Sequence, residues 1–323
     1  MAAIMINSEG SMQQITPADD NFHFAQMGDR WWMTETSWFS FCAPERKLGG
    51  WLYTMVRPNI GTVAGGAWVW DDSAHLPWEA LYSRNLTALR IPENPDLNDI
   101  VFPTGTAIRT IVPLTSYQLG YADEDRFSVD LRFDAVMAPR PLRKPGSAFG
   151  DLTHFDQFGR VTGELDLHGE KIPIDCYAMR DRSWGPRPEH RPRKSAYVTG
   201  IASDKHSFLA VTKAGDHSDE IAYGFLIRDG RIGDIVSGRR SVERDPVEGW
   251  VTHIVIDAVD EHGRKLRAEG RRLSGITLIR HSFIDHNGLM SWSIDGQNGH
   301  GEDQDMWPVH DWADYRRTAR GRS

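Results

Sequence analysis

Phe127-Ser-Val-Asp-Leu-Arg-Phe-Asp-Ala-Val-Met137 alternates apolar and polar residues almost without a break. A period of two puts Phe127, Val129, Leu131, Phe133 and Ala135 on one face and their polar neighbours on the other. Such a stretch is a half-buried antiparallel strand, dry on one side and wet on the other. Long helical periodicity is nearly absent from the rest of the chain, so this strand sets the fold class.

Working outward, Trp51–Arg57 and Thr62–Trp70 read as two strands joined at Pro58, Asn59 and Gly61. Residues 73–104 read as a long connection with one short helix around Pro77–Ser83. Downstream, Arg160–His168 and Lys171–Asp175 form a hairpin through Gly169. Strand-like runs follow at 196–202, 207–212, 221–228, 231–237, 250–259 and 264–273, with turn signals at Asp229-Gly230 and His262-Gly263, and a last pair at Ile276–Phe283 and Leu289–Ile294. Pro139–Ser147 is the best linker. The expected fold is all-β, with two antiparallel sheets or barrels joined near 140–150. The expected divisions are a flexible start over 1–20, domains over 21–145 and 146–315, and a flexible tail over 316–323.

The 323 residues, 40% hydrophobic and 25% charged, are those of a globular chain. A net charge of −8 argues against a nucleic-acid surface, which needs a basic face. Met1–Gln14 does not read as a secretory signal, and no run approaches the ~18 apolar residues of a membrane span. Cys42 and Cys176 are too few for a disulfide framework and read as reduced cytoplasmic thiols. Seven of the twelve tryptophans fall between Trp31 and Trp78, where they form either a Trp-rich core or the lining of an apolar cavity. The thirteen histidines are scattered without metal-ligand spacing, and no glycine-rich phosphate loop or nucleophile elbow follows a strand, so neither a metal nor a cofactor is expected.

Acid–base chemistry remains. Asp181-Arg-Ser-Trp-Gly-Pro-Arg187 sets an acid and two guanidiniums around an indole, and Gly185-Pro186 then reads as a turn. A pocket lining suits that mixture better than open surface or dry core. Asp181 beside Trp184 would have a raised pKa and could donate a proton, unless Arg182 or Arg187 holds it ionised as a loop staple. Glu35-Thr-Ser-Trp38 echoes the same acid-x-Ser-Trp order and suggests duplication of one β unit. Glu302 and Asp303 precede Trp307 and are candidate partners for Arg182 or Arg187, a second acid–base pair, or a solvated turn. His154 is a candidate base or a structural hydrogen-bonder.

Three patches, Phe155–Gly163, Arg180–Arg187 and Gly301–Gln304, resemble the lipocalin-like group related to hydroxyneurosporene synthase (carotenoid 1,2-hydratase) and the AttH-like proteins. The resemblance spans roughly residues 20–310. It implies two lipocalin-like β-barrel halves packed together around a ligand cavity, no cofactor, and activities such as adding water to an isoprenoid double bond. It marks Asp181, Trp184 and Gly185 as the pocket motif. Relatives often carry His where this chain has Arg182, which cannot shuttle protons near neutral pH.

The resulting expectation is a cofactor-independent lyase for a hydrophobic aromatic or isoprenoid small molecule. The reaction is hydration or dehydration, or carbon–carbon cleavage releasing a small aldehyde such as formaldehyde. The expected catalytic residues are Asp181, Arg182, His154, Asp303 and Glu302, with Trp184, Arg187, Glu35, Trp38 and Trp32 contacting substrate. Arg182 in place of His favours the aldehyde-releasing branch, with its guanidinium facing a developing oxyanion. The alternative is a non-catalytic lipocalin-like carrier. A homodimer is left open.

Overall fold

Phe127, Val129, Leu131 and Phe133 are buried and Asp130 and Arg132 exposed along strand Phe127–Ala135, as the alternation requires. The computed structural model describes residues 3–6, 12–73, 75–141, 152–187, 193–215, 218–280 and 283–321. No helix among them is long and apolar enough to cross a membrane.

The first unit takes in residues 1–43, 49–69 and 81–188. Its strands are β1 (Ala3–Ile6), β2 (Met12–Ile15), β3 (Met33–Ala43), β4 (Leu48–Arg57), β5 (Thr62–Trp70), β6 (Tyr82–Arg90), β7 (Asp99–Val101), β8 (Thr106–Val112), β9 (Ser116–Asp123), β10 (Phe127–Ala135), β11 (Arg140–Pro141), β12 (Thr153–Leu167) and β13 (Glu170–Pro186). β1 and β2 pair with each other. The remainder form one open sheet in the order β6-β5-β4-β3-β13-β12-β10-β9-β8-β7, with β11 also on β12.

The second unit takes in residues 44–48, 70–80 and 189–323. It is a closed eight-stranded barrel of β14 (Ser195–Ser203), β15 (His206–Lys213), β16 (Asp219–Arg228), β17 (Arg231–Arg244), β18 (Val251–Asp260), β19 (Lys265–Arg280), β20 (Phe283–Ile294) and β21 (Gln297–Pro308), followed by helix α1 (Val309–Ala319). Val198, Phe208, Leu226, Ile256 and Trp292 are among the residues of its dry core. Sequential strands and closure of β21 on β14 make an up-and-down barrel, which has no free edge. The expectation of an all-β, lipocalin-like architecture holds.

The β12–β13 hairpin turns at His168-Gly169, both at positive φ, the geometry of a two-residue type I′ turn. Several boundaries differ from the sequence reading. The division expected at 145/146 falls after Pro188, because β12 and β13 pair into the first sheet. Most of the expected linker lies outside the described residues. Residues 73–104 contain β6 and β7 and, among the described residues, no helix; β6 is an edge strand with mostly polar, exposed residues, so it carries no apolar alternation. The start is not loose throughout, since Pro17–Asp20 form a 3-10 turn and Asp20 is 3% exposed. The tail begins later than expected, because α1 runs to Ala319. Gly185-Pro186 do not turn: both stay in β13, Gly185 at φ 125° opposite Thr34. Cys42 and Cys176 are buried and form no disulfide; the Cys42 backbone N–H donates to Cys176 Sγ at 3.3 Å.

Candidate functional site

Strand pairing brings the two acid-x-Ser-Trp copies side by side. Glu35 lies opposite Trp184, Thr36 opposite Ser183, Ser37 opposite Arg182 and Trp38 opposite Asp181. The copies are therefore antiparallel neighbours within one sheet rather than equivalent elements of two duplicated units. β12 flanks β13 on its other side, with His154 opposite Ser183 and Asp156 opposite Asp181. Because side chains alternate along a strand, the heptapeptide divides between two faces of the sheet. Arg180, Arg182, Trp184, Glu35, Phe155 and Gln157 share one face. Asp181, Ser183, Thr36, Trp38, His154 and Asp156 share the other.

The first face is a closed ionic seam. Arg182 Nη2 donates to Glu35 Oε2 and to the carbonyl oxygen of Asn21, both at 2.9 Å, and the two side chains are 2% and 1% exposed. His23 stacks flat on Trp184, with centroids 4.0 Å apart and planes 3° apart. Its Nδ1 lies 3.3 Å from Glu35 Oε2 and its Nε2 lies 3.2 Å from Asp19 Oδ1. Burial works against a charged His23, but the hydrogen bonds to Asp19 and Glu35 outweigh it and raise its pKa. Next along, Arg180 Nη2 donates to Asp20 Oδ1 at 3.1 Å and its Nε to Gln157 Oε1 at 2.6 Å. Tyr117 donates its hydroxyl to Asp20 at 2.7 Å, and the Arg180 guanidinium lies 4.0 Å above the Tyr117 ring. These contacts fasten residues 16–23 to the sheet. Buried charge is tolerated here because each ion has a partner.

The second face carries groups that can exchange protons. His154 Nε2 lies 2.8 Å from Asp156 Oδ1, and both residues are almost wholly buried at 2% and 0% exposure. Burial acts to lower the His154 pKa, yet the charge and hydrogen bond of Asp156, helped by the charge of Asp181, raise it above the usual imidazole value. Ser183 Oγ and Thr36 Oγ1 are 2.6 Å apart, and Arg187 Nη2 donates to Ser183 Oγ at 3.0 Å. Asp181 is half-buried in the middle of this face. Directly opposed residues on neighbouring strands bring their Cβ atoms to about 5 Å, so His154, Ser183, Asp156 and Asp181 form one contiguous patch.

Residues 16–308 match the family described as "Domain of unknown function (DUF7064)". The chain belongs to that family. No curated protein matches the sequence. Among solved structures, an AttH-assigned protein from Nitrosomonas europaea is similar at TM-score 0.65 and 13% identity, covering 91% of this chain and 96% of that one. Kievitone hydratase from Nectria haematococca is similar at TM-score 0.57 and 10% identity, covering 91% and 93%. CghA bound to Sch210972 is similar at TM-score 0.56 and 12% identity, covering 85% and 87%. The fold is thus the lipocalin-like one of AttH-type proteins.

Other predicted site residues of this DUF7064 chain take different places. Trp38 is 3% exposed and meets Trp51 edge-to-face at 5.5 Å, a core contact. Trp32 is half-buried; its carbonyl accepts the Arg187 backbone N–H at 2.9 Å, and its ring lies edge-on to Trp31 at 5.6 Å. Asp303 belongs to the barrel interior, where both its oxygens accept from Arg240 Nη2 at 2.8 Å. Arg240, rather than Arg182 or Arg187, is its partner. Glu302 points to the opposite side of β21, and its backbone N–H donates to Thr199 Oγ1 at 3.0 Å. Neither Glu302 nor Asp303 forms a solvated turn, since both are buried.

A groove of about 570 Å³ opens on the first unit between Ile15, Pro17, Leu114 and Met137. None of the predicted site residues lines it. Gln157 underlies it, donating its amide to the carbonyls of Leu114 and Met137 at 2.8 Å each. The sequence reading missed Asp19, Asp20, His23, Asp156 and Arg180. Asp156 was within reach, because a residue two along a strand from His154 shares its face. Asp20 left no such signal, since its partners Tyr117 and Arg180 lie more than 90 residues away.

Proposed function

We propose that this chain is a cofactor-independent lyase that hydrates or dehydrates a small apolar molecule, aromatic or isoprenoid, at the face formed by His154, Asp156, Asp181 and Ser183. The observation that carries this reading is the buried His154–Asp156 pair set beside half-buried Asp181 on one sheet face. A raised imidazole pKa keeps a proton available near neutrality, and a neighbouring carboxylate supplies the complementary base. In the hydration direction the acid protonates one alkene carbon, water adds to the cationic partner carbon, and its surplus proton returns to the carboxylate. Dehydration is the reverse. Arg187 and Ser183 hold polar groups of the substrate or the attacking water. One protein of similar fold is named a hydratase, which accords with this chemistry.

The aldehyde-releasing branch drew its support from Arg182 as a partner for an oxyanion. Arg182 is instead engaged by Glu35 and Asn21 on the other face, so hydration or dehydration is the better reading.

The test is a screen of terpenoids and hydroxylated aromatic compounds, with product masses read for gain or loss of water or loss of formaldehyde. Asp181→Asn and His154→Gln should each lower turnover about 10²–10⁴-fold while ligand still binds, the usual worth of a positioned acid or base. Unchanged turnover in both variants would overturn the assignment. Saturable binding by the unaltered chain with no product from any bound compound would favour a carrier.

A further inference from the structure

The polar end of the second unit's barrel contains a charge that the protein itself leaves unmatched. Arg240 spans Asp219, Asp303 and Asp305 at 2.8, 2.8 and 3.2 Å. Arg244 binds Asp305 at 2.7 Å, and Lys194 binds Asp219 at 3.0 Å. Three cations therefore already serve three carboxylates. Arg272 is a fourth cation facing the same group, and among the described residues no carboxylate comes within 4.0 Å of its guanidinium. Asp245 is felt only as a more distant charge and is capped by the backbone N–H groups of Val247 and Glu248.

The backbone is shaped around this guanidinium. A Cβ on Gly275 would come within 2.2 Å of Arg272 Nη2, so that glycine makes the space the fork occupies. Nη2 is sealed from solvent and has no acceptor. Beside it stand Trp250, whose ring the guanidinium faces at 5.0 Å, and His75, whose ring lies 4.3 Å from that of Trp250. All three residues are half-buried, and of the Arg272 guanidinium only Nη2 is sealed, so a small solute would meet its remaining N–H edge. Deeper in, His286 places Nδ1 2.8 Å from Thr277 Oγ1 and leaves Nε2 sealed without a partner. Burial holds that imidazole neutral, with its pKa pushed down to about 4. Trp312 of α1 packs on His286 at 4.2 Å and on Trp307 at 5.4 Å.

We propose that Arg272, with Trp250 and His75 at its side, is a binding site for a small organic carboxylate. A planar fork with a free donor suits two carboxylate oxygens, and an aromatic flank suits the apolar body attached to them. This site is independent of the acid–base face of the first unit, and its test reads binding rather than turnover.

Titration calorimetry with benzoate, acetate and inorganic phosphate on the full chain tests the proposal. Benzoate should bind saturably with one site per chain, and acetate more weakly. Arg272→Met should weaken benzoate by at least about tenfold, and Arg272→Lys by less, because an ammonium keeps the charge and loses the fork. The melting temperature of Arg272→Met should stay level or rise, because replacing an uncompensated, half-buried charge by an apolar chain is neutral or stabilising. A fall in melting temperature would mark Arg272 as a structural ion and overturn the proposal. So would the absence of benzoate binding at millimolar concentration, equal binding by Arg272→Met, or phosphate binding more tightly than both carboxylates. If Arg272→Met does not fold, benzoate binding unchanged in Arg272→Lys overturns it as well.

Discussion

The two faces of the β3–β13–β12 ribbon carry much the same residue types and do opposite things with them. On one, Glu35, Arg182, Arg180 and Asp20 meet as closed ion pairs that hold residues 16–23 in place. On the other, Asp156, Asp181 and His154 sit among the hydroxyls of Ser183 and Thr36, with Arg187 donating to Ser183 and Arg140 opposite Asp156. Adjacent letters of one heptapeptide thus fall on different faces: Arg182 fastens the closed seam, and Asp181 lies on the face we propose to be reactive. Strand alternation alone decides which does which.

The sharpest way to break the comparison is to remove one partner from the closed face. Arg182→Leu strands the Glu35 carboxylate in a dry site and should cost about 3–5 kcal/mol in urea unfolding, as breaking one partner of a buried pair generally does. The double variant Arg182→Leu with Glu35→Leu should recover much of that loss. If Arg182→Leu instead left stability intact and removed turnover, the roles of the two faces would be exchanged.

The open face should respond the other way. Asp181→Asn is nearly isosteric at a half-buried position, so its midpoint should move by less than about 1 kcal/mol while turnover falls at least 10²-fold. A large stability loss with normal turnover would place Asp181 among the structural ions.

The difference also shows why the fold was more legible than the site. Strand alternation such as Phe127–Phe133 and the turn at His168-Gly169 are local, and they locate strands and hairpins directly. Asp181, His154, Trp184 and Glu35 were singled out by chemistry, and the fold does draw them onto one ribbon. What remained hidden was their division between faces and the identity of the long-range partners. Asp20 finds Arg180 and Tyr117 across most of the unit, and nothing local in Pro17–Asp20 announces it. β6 was missed because an edge strand with exposed polar residues has no dry face to write into the sequence.

A pH series sharpens the comparison further. His23 on the closed face has a raised pKa in the folded chain, so protonation favours folding. That stabilisation is complete below the ordinary imidazole value of about 6.5 and fades as pH rises through the higher folded value. His154 acts in the same direction. Unfolding midpoints should therefore decline from pH 6.5 upward, and His23→Gln should make the decline shallower without abolishing it. Identical slopes in the two proteins would show that the His23 contacts to Asp19 and Glu35 add nothing to the fastening.

The smallest effect belongs further along the same two strands, where the ribbon emerges into solvent. Arg160 of β12 grips Asp175 of β13 through two hydrogen bonds of 2.8 and 2.7 Å, a geometry as good as any in the buried seam. Yet these side chains are 54% and 61% exposed, against 2% and 1% for Arg182 and Glu35. Water solvates either ion when the other is removed, so nothing is stranded. Arg160→Ala should leave the unfolding midpoint almost unchanged, and the small effect should shrink further in high salt. A loss comparable to that of Arg182→Leu would mean that pairing geometry, rather than burial, sets the worth of an ion pair on this ribbon.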